Sequence, residues 1–243
     1  MSRIVDLANA AYANRAVARL LHTTPACLEE ALRGSRLVLD LGCGARSPVP
    51  SACTAWTLGV ELFEPSLRSA RDSGTHDAYV RGDLHDIEFG AGTVDAVVMV
   101  EVLEHLSKAD GLALLDRAET WARQRVVITT PNGYVPQVAL EGNPHQQHLS
   151  GWKVEELVAR GYHAHGLAGL KWLRRENDHD VVQINKDAML ASIRLRPRPL
   201  WLGLSALSQL VTYRVPRWSF GILYVRETGV RGTRSGAREA DGL

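Results

Sequence analysis

Residues 37–44 read LVLDLGCG. Leu37–Leu41 is an apolar run of strand length, and Gly42 and Gly44 bracket Cys43 directly behind it. Glycine lets the backbone turn sharply and lets a ligand approach without meeting a Cβ. A buried strand running into such a turn therefore marks the ligand edge of an open sheet. Further strand-length runs follow at Thr57–Glu61 (TLGVE), Ala78–Val80, Val94–Val100 (VDAVVMV), Val126–Thr129 (VVIT) and Phe220–Val225 (FGILYV). The continuous β-branched run VDAVVMV is that of a strand covered on both faces. Between the fourth and fifth runs, Leu112, Leu115, Ala118, Glu119 and Ala122 recur at helical spacing, with Asp110 as the expected N-cap. Trp152–Arg160 reads as a further helix. Strands alternating with helices predict an α/β fold, a doubly wound sheet with helices on both faces. Right-handed crossovers then bring the strand C-terminal ends to one edge, where ligands bind.

The residues behind each strand are informative as a set. The second strand ends in Glu61, about 20 residues past the glycine turn, where a carboxylate can accept hydrogen bonds from a ribose diol. The third leads into Gly82-Asp83-Leu84, and Asp83 is suited to accept a bond from an adenine amine. The fourth leads into Glu101-Val-Leu-Glu104-His105, and the fifth into Thr130-Pro131-Asn132-Gly133. A dinucleotide site needs a third glycine and a helix N-terminus for the pyrophosphate. Here Ala45, Arg46, Ser47 and Pro48 follow the turn, with Pro50 beyond. That disfavours a nicotinamide dehydrogenase and favours a nucleoside ligand without phosphates. The first helix should be short or displaced.

Composition sets outer bounds. The 243 residues carry 28 Lys and Arg against 27 Asp and Glu, a formal net charge of +1, so no global field selects nucleic acid as partner. Cys27, Cys43 and Cys53 form no disulfide framework and no C-x-x-C pair, which fits a cytoplasmic setting. The N-terminal stretch has Asp6 and Arg15 where a signal peptide would be apolar. Its Ile4, Leu7, Ala8, Ala11 and Tyr12 fall at helical spacing instead. The charge-free run Pro199–Tyr213 is shorter than the roughly 20 residues that cross a bilayer. Arg194, Arg196, Arg198, Arg214 and Arg217 flank it. A core or lid helix with a basic edge is the expected reading, and a helix lying on a membrane surface is the alternative. The tail ETGVRGTRSGAREADGL has no apolar period and reads as disordered.

The ordered set VLDLGCG, GVE, GDL, DAVVMVEVLEHL and VVITTPNG, from Leu37 to Gly133, resembles the class I S-adenosylmethionine-dependent methyltransferases, in particular the ubiquinone-biosynthesis-like, type 11 domain. The resemblance implies a Rossmann-like seven-stranded doubly wound sheet with its last strand, Phe220–Val225, antiparallel, and Tyr162–Gly166 as candidate sixth strand. It implies a domain over 35–226, a helical extension over 1–34, a helical insertion over about 169–218 and a tail over 227–243. About 50 residues, Ala168 to Ser219, stand where the family usually has a hairpin, so the insertion needs structure of its own. The implied cofactor is S-adenosylmethionine. Asp40, Gly42, Cys43 and Gly44 would shape its methionine pocket, Glu61 with Leu62 would hold the ribose, Asp83 and Leu84 the adenine edge, and Glu101 the methionine side.

Methyl transfer from a sulfonium mainly requires that donor and acceptor be brought together in line. A base helps when the acceptor is a hydroxyl, and His105, His145 and His148 are the candidates. The pattern Glu101, Glu104, His105 has the donors for a divalent cation (Mg, Mn or Zn), with His148 as the distant fourth ligand. The plainer alternative is that Glu104 caps a helix. His145 reads as a loop residue, Cys43 as a packing residue, and Trp152 and Trp172 as packing residues that could also line an acceptor pocket. The expected activity is methyl transfer to a small-molecule, glycan or lipid-linked acceptor, at oxygen, with peripheral membrane contact open. An RNA 2′-O-methyltransferase and a non-catalytic binding scaffold are the rivals.

Overall fold

The computed structural model describes residues 14–49, 54–139, 142–174 and 192–229. Seven strands form one sheet: β1 (Leu37–Leu41), β2 (Trp56–Glu61), β3 (Ala78–Arg81), β4 (Val94–Val100), β5 (Ala122–Pro131), β6 (His163–Leu170) and β7 (Ser219–Glu227). Their order is β3-β2-β1-β4-β5-β7-β6. The first five pair in parallel. β7 runs antiparallel to both neighbours. The strand C-terminal ends at Leu41, Glu61, Arg81 and Val100 thus share one edge.

Every residue of β4 is buried, as its unbroken apolar run requires. One face of the sheet packs Leu39, Leu41, Val97 and Met99 against Leu114, Leu115 and Trp121 of helix α4 (Lys108–Trp121). The other packs Val38, Ala96 and Val98 against Cys27, Leu28 and Leu32, in and just past helix α2 (Thr24–Ala31). Helix α1 (Arg15–Leu20) precedes α2, and helix α3 (Glu64–Ser73) joins β2 to β3. Residues 1–13, with the amphipathic stretch around Leu7, lie outside the described residues, as do Cys53, 175–191 and 230–243.

Several boundaries differ from the sequence reading. The N-cap of α4 is Ser107, whose hydroxyl accepts the Asp110 N–H while the Asp110 carboxylate accepts the Ser107 O–H. The helix therefore starts earlier, and its core face is Gly111, Leu114, Leu115, Ala118 and Trp121. Leu112 is left exposed and Ala122 already opens β5. Helix α5 covers only Val154–Ala159, and Trp152 sits ahead of it with its side chain fully buried. The sixth strand begins at His163, because Tyr162 turns into the core. β7 extends to Glu227, and Thr228 still bonds to Gln124 and Ala122, so order continues past the expected start of the tail. Of the insertion, helix α6 (Arg198–Thr212) is described.

Gly111 is what admits Trp152. A Cβ there would stand 2.6 Å from the indole Cζ2, and Lys108 Nζ lies over the ring, 3.6 Å from its centroid. Alanine gains about 1 kcal/mol over glycine inside a helix, while overpacking a rigid ring costs about 1–3 kcal/mol. Gly111→Ala is therefore expected to be net destabilising and to lower the thermal midpoint by a few degrees, at roughly 2–4 °C per kcal/mol for a domain of this size. A raised midpoint would show that Trp152 yields without cost.

Candidate active site

The glycine turn is built as its sequence requires. Gly42 and Gly44 both have positive φ, 68° and 59°. Gly42 N and Cys43 N donate to Val60 O at 2.8 and 3.0 Å, which ties the turn to β2. No atom lies within 4 Å of where a Gly44 Cβ would stand, so backbone is open to a ligand there. Residues 42–49 contain no helix, which agrees with the helix-breaking character of Pro48 and Pro50.

Asp40 is buried beneath this turn. Its Oδ2 accepts the Ser47 hydroxyl at 2.5 Å and meets His76 Nε2 at 2.9 Å. It thereby fixes the loop behind the turn and the entry to β3 to one strand end. Glu61 is the second fastening: Oε2 accepts Gly44 N–H at 3.0 Å and Oε1 accepts Phe63 N–H at 2.7 Å. A carboxylate has about four lone-pair sites, so these bonds leave acceptor capacity for a diol. Leu62 is half-buried beside it, its carbonyl accepting from Arg81 Nε at 3.3 Å. The Cys43 thiol is buried, and burial pushes its pKa far up, so it packs and does not react.

Asp83 Oδ1 accepts the backbone N–H of His85 at 2.9 Å and faces its Nδ1 at 2.7 Å. These bonds hold the carboxyl below the usual range, led by the backbone bond, and raise His85 in return. Arg117 of α4 grips the loop that follows, donating to the carbonyls of Leu84 (2.5 Å), Ile87 (2.9 Å) and His85 (3.1 Å). Sequence reading missed Arg117, Ser47 and His76, because a side chain that supports a site from another element carries no motif.

Glu101, just past β4, has φ 53°, in the left-handed region that non-glycine residues rarely adopt. Its N–H donates to Thr129 O at 3.0 Å and its Oε1 accepts the Thr129 hydroxyl at 2.9 Å. The chain then makes a tight 3-10 turn over Leu103–His105. The segment after β5 is laced to this turn. Leu149 N and Ser150 N donate to Glu104 O at 2.7 and 3.0 Å, and Ser150 Oγ donates to Leu103 O at 3.1 Å. The Trp152 indole N–H bonds to that same Ser150 oxygen at 3.1 Å.

That lacing places His148 beside His105, ring centroids 4.8 Å apart at 67°. Glu104, His105 and His148 each offer a ligand atom, and these atoms lie within 4.8 Å of one another. His148 Nδ1 bonds to Val135 O at 2.6 Å and His105 Nδ1 to Gln147 O at 3.2 Å. A carbonyl accepts only from N–H, so both imidazoles, when neutral, carry their ring lone pair on Nε2. Burial, aided by His148, lowers the His105 pKa to about 4, so its imidazole is neutral near pH 7. Neither side-chain oxygen of the buried Glu104 makes a hydrogen bond of good geometry, though Glu101 and Thr130 are its polar neighbours, and burial, then the Glu101 carboxylate, pushes its pKa well up. His145 stands outside the cluster, exposed on the turn Pro144–Gln146.

Residues 39–128, from β1 into β5, match the family model described as a methyltransferase domain. No curated protein matches the chain. Solved structures share the fold. An S-adenosylmethionine-dependent methyltransferase of Mesorhizobium loti aligns at TM-score 0.50 and 16% identity, covering 85% of this chain and 99% of that one. A chain from Bacillus halodurans described as a methyltransferase aligns at 0.51 and 14%, with the same coverage. A chain of the Haloferax volcanii complex between the Trm112 methyltransferase activator and a methyltransferase aligns at 0.50 and 15%, covering 94% and 93%. The methyltransferase domain model spans β1 to β5, and the seven-stranded sheet, with its reversed last strand between the fifth and sixth, has the Rossmann-like fold of those solved methyltransferases, so the chain carries a methyltransferase domain.

Proposed function

We propose that this methyltransferase transfers the methyl group to an oxygen of a small-molecule, glycan or lipid-linked acceptor, with a divalent cation held by Glu104, His105 and His148. The carrying observation is Glu104, a buried carboxyl group with neither oxygen hydrogen-bonded, set against two imidazoles whose Nδ1 atoms are engaged by carbonyls. Burying such a group is unfavourable unless something pairs with it. A carboxylate with two imidazoles suits Mg, Mn or Zn by donor chemistry. A helix-capping role for Glu104 does not account for the two histidines.

Bound S-adenosylmethionine supplies a methyl group on a cationic sulfur, ready to pass to an oxygen lone pair. Glu61 would accept from the ribose hydroxyls, and Asp83 and Leu84 would hold the adenine edge. The open backbone at Gly44 and the carboxylate of Glu101 would line the methionine side, with Asp40 bracing the turn. A cation at Glu104, His105 and His148 would lower the pKa of an acceptor hydroxyl and orient it. In this reading the two histidines touch the reaction as ligands. The near-balanced charge of the chain supports a small or lipid-linked acceptor over RNA.

The test is calorimetry with S-adenosylhomocysteine, using NAD as control, followed by an acceptor screen with labelled methyl donor before and after chelation. Saturable binding of S-adenosylhomocysteine alone is expected, with transfer lost on chelation and restored by Mg²⁺, Mn²⁺ or Zn²⁺. Full activity after chelation and dialysis would remove the cation, and binding without transfer to any acceptor would favour the scaffold.

A further inference from the structure

Helix α6 is amphipathic in the inverted sense. Leu200, Leu204, Leu207 and Val211 recur at helical spacing on its outer side and are 42–59% exposed. Its buried residues are Ser205, Gln209 and Thr212. The cause lies in β6, which kinks at Ala168 (φ 63°) and Gly169 (φ 74°) and slips register between Leu167 and Leu170. The kink frees backbone groups that need polar partners. Gln209 supplies two, donating to Gly166 O at 2.7 Å and accepting Gly169 N–H at 2.6 Å, and Ser208 Oγ accepts Leu170 N–H at 3.0 Å. The helix is thus held to the sheet by hydrogen bonds, and its leucines are turned outward.

The sequence that carries this stripe has charge of one sign. Residues 192–218 contain Arg194, Arg196, Arg198, Arg214 and Arg217 and no Asp or Glu, in a chain whose charges otherwise nearly cancel. Arg194, Arg196, Arg214 and Arg217 are exposed, and among these Arg217 pairs with Glu155 at 2.9 Å. Trp172 and Trp218 are 56% and 58% exposed, and Trp201 stands edge-on to Trp172 at 6.4 Å. Indoles favour the boundary between water and hydrocarbon. No helix among the described residues is long and apolar enough to cross a membrane.

We propose that the outer face of α6, with Trp172 and Trp218, docks on an anionic lipid bilayer surface. An apolar stripe rimmed by arginines and indoles is complementary to acyl chains beneath acidic headgroups. A twofold contact between copies would instead press two arginine rims together. The face adjoins the ligand edge of the sheet. Lys171 Nζ donates to Asn132 O at 2.5 Å, just past β5, and Asn132 Nδ2 donates to Arg217 O at 3.1 Å and Ser219 O at 2.9 Å. Docking therefore narrows the acceptor class of the proposed function to molecules presented at a membrane. The docking itself is tested without any methyl transfer, so it and that reading fail separately.

The full chain is sedimented with vesicles of phosphatidylcholine alone and of phosphatidylcholine with about 30% phosphatidylglycerol, where binding at least about tenfold tighter to the latter is expected. The double variant Leu204→Asp/Leu207→Asp should lose that binding while keeping the unfolding temperature and S-adenosylhomocysteine affinity of the parent. Equal or absent binding to both vesicles overturns the proposal. So does a concentration-dependent dimer that the double variant abolishes, which would assign the face to a second copy. A lowered unfolding temperature in the variant would also overturn it, by showing that the stripe is covered within the chain.

Discussion

Glu61→Ala should weaken S-adenosylhomocysteine binding by at least about 100-fold, because two hydrogen bonds to a charged acceptor are worth about 1.5–3 kcal/mol each. Its effect on stability should be much smaller. The residue is half-buried and its protein partners are two backbone N–H groups, Gly44 and Phe63, at the surface edge of the sheet. Loss of those bonds costs about 1 kcal/mol apiece at most, since water can replace the carboxylate. Calorimetric titration beside a thermal melt separates the two. Glu61→Gln, which keeps one acceptor oxygen, should fall between. Unchanged affinity in Glu61→Ala would take this carboxylate out of the cofactor site.

Glu104→Met should do the reverse to stability. A side chain of similar length replaces a buried carboxyl group with no hydrogen-bond partner for either oxygen, and removing such a group is expected to gain about 1–3 kcal/mol in the metal-free protein. Methyl transfer should meanwhile be lost. A higher melting temperature with activity abolished is the signature of a residue kept for function at the expense of folding. If Glu104 instead served the fold, the variant would melt lower. His148→Ala gives a check on the same site, losing activity without the gain in stability, because the imidazole already has Val135 O as partner.

The parallel half of the sheet was legible because burial on both faces leaves one signature, uninterrupted β-branched runs such as VDAVVMV. The glycine turn was legible because its two positive φ values call for glycine at 42 and 44. β6 was harder. HAHGLAGL is rich in glycine and carries two histidines, and Gly166 and Gly169 are there because Thr212 O and Ser205 O approach to 2.2 Å of where a Cβ would be. No local pattern reports such a neighbour. For helix α6 the sequence left open a core or lid helix and a helix on a membrane surface for a related reason: its leucines follow helical periodicity, and periodicity does not say which face is inward. The cluster of Glu104, His105 and His148 was suggested by type and spacing, whereas the carbonyls that orient the rings became visible only with the loop 135–150 in place.

The strand made last is not at the margin of the sheet. β7 lies between β5 and β6, so β6 has no partner until residues 219–227 have left the ribosome. A nascent chain can zip up the five parallel strands and then must wait, with β6 and the helix bonded to it not yet joined to the sheet, for a final insertion that closes contacts distant in sequence. A stop codon before β7 would thus remove that strand alone, leave β6 and the helix bonded to it with no strand joining them to the sheet, and leave β5 as a raw edge open to pairing with other chains.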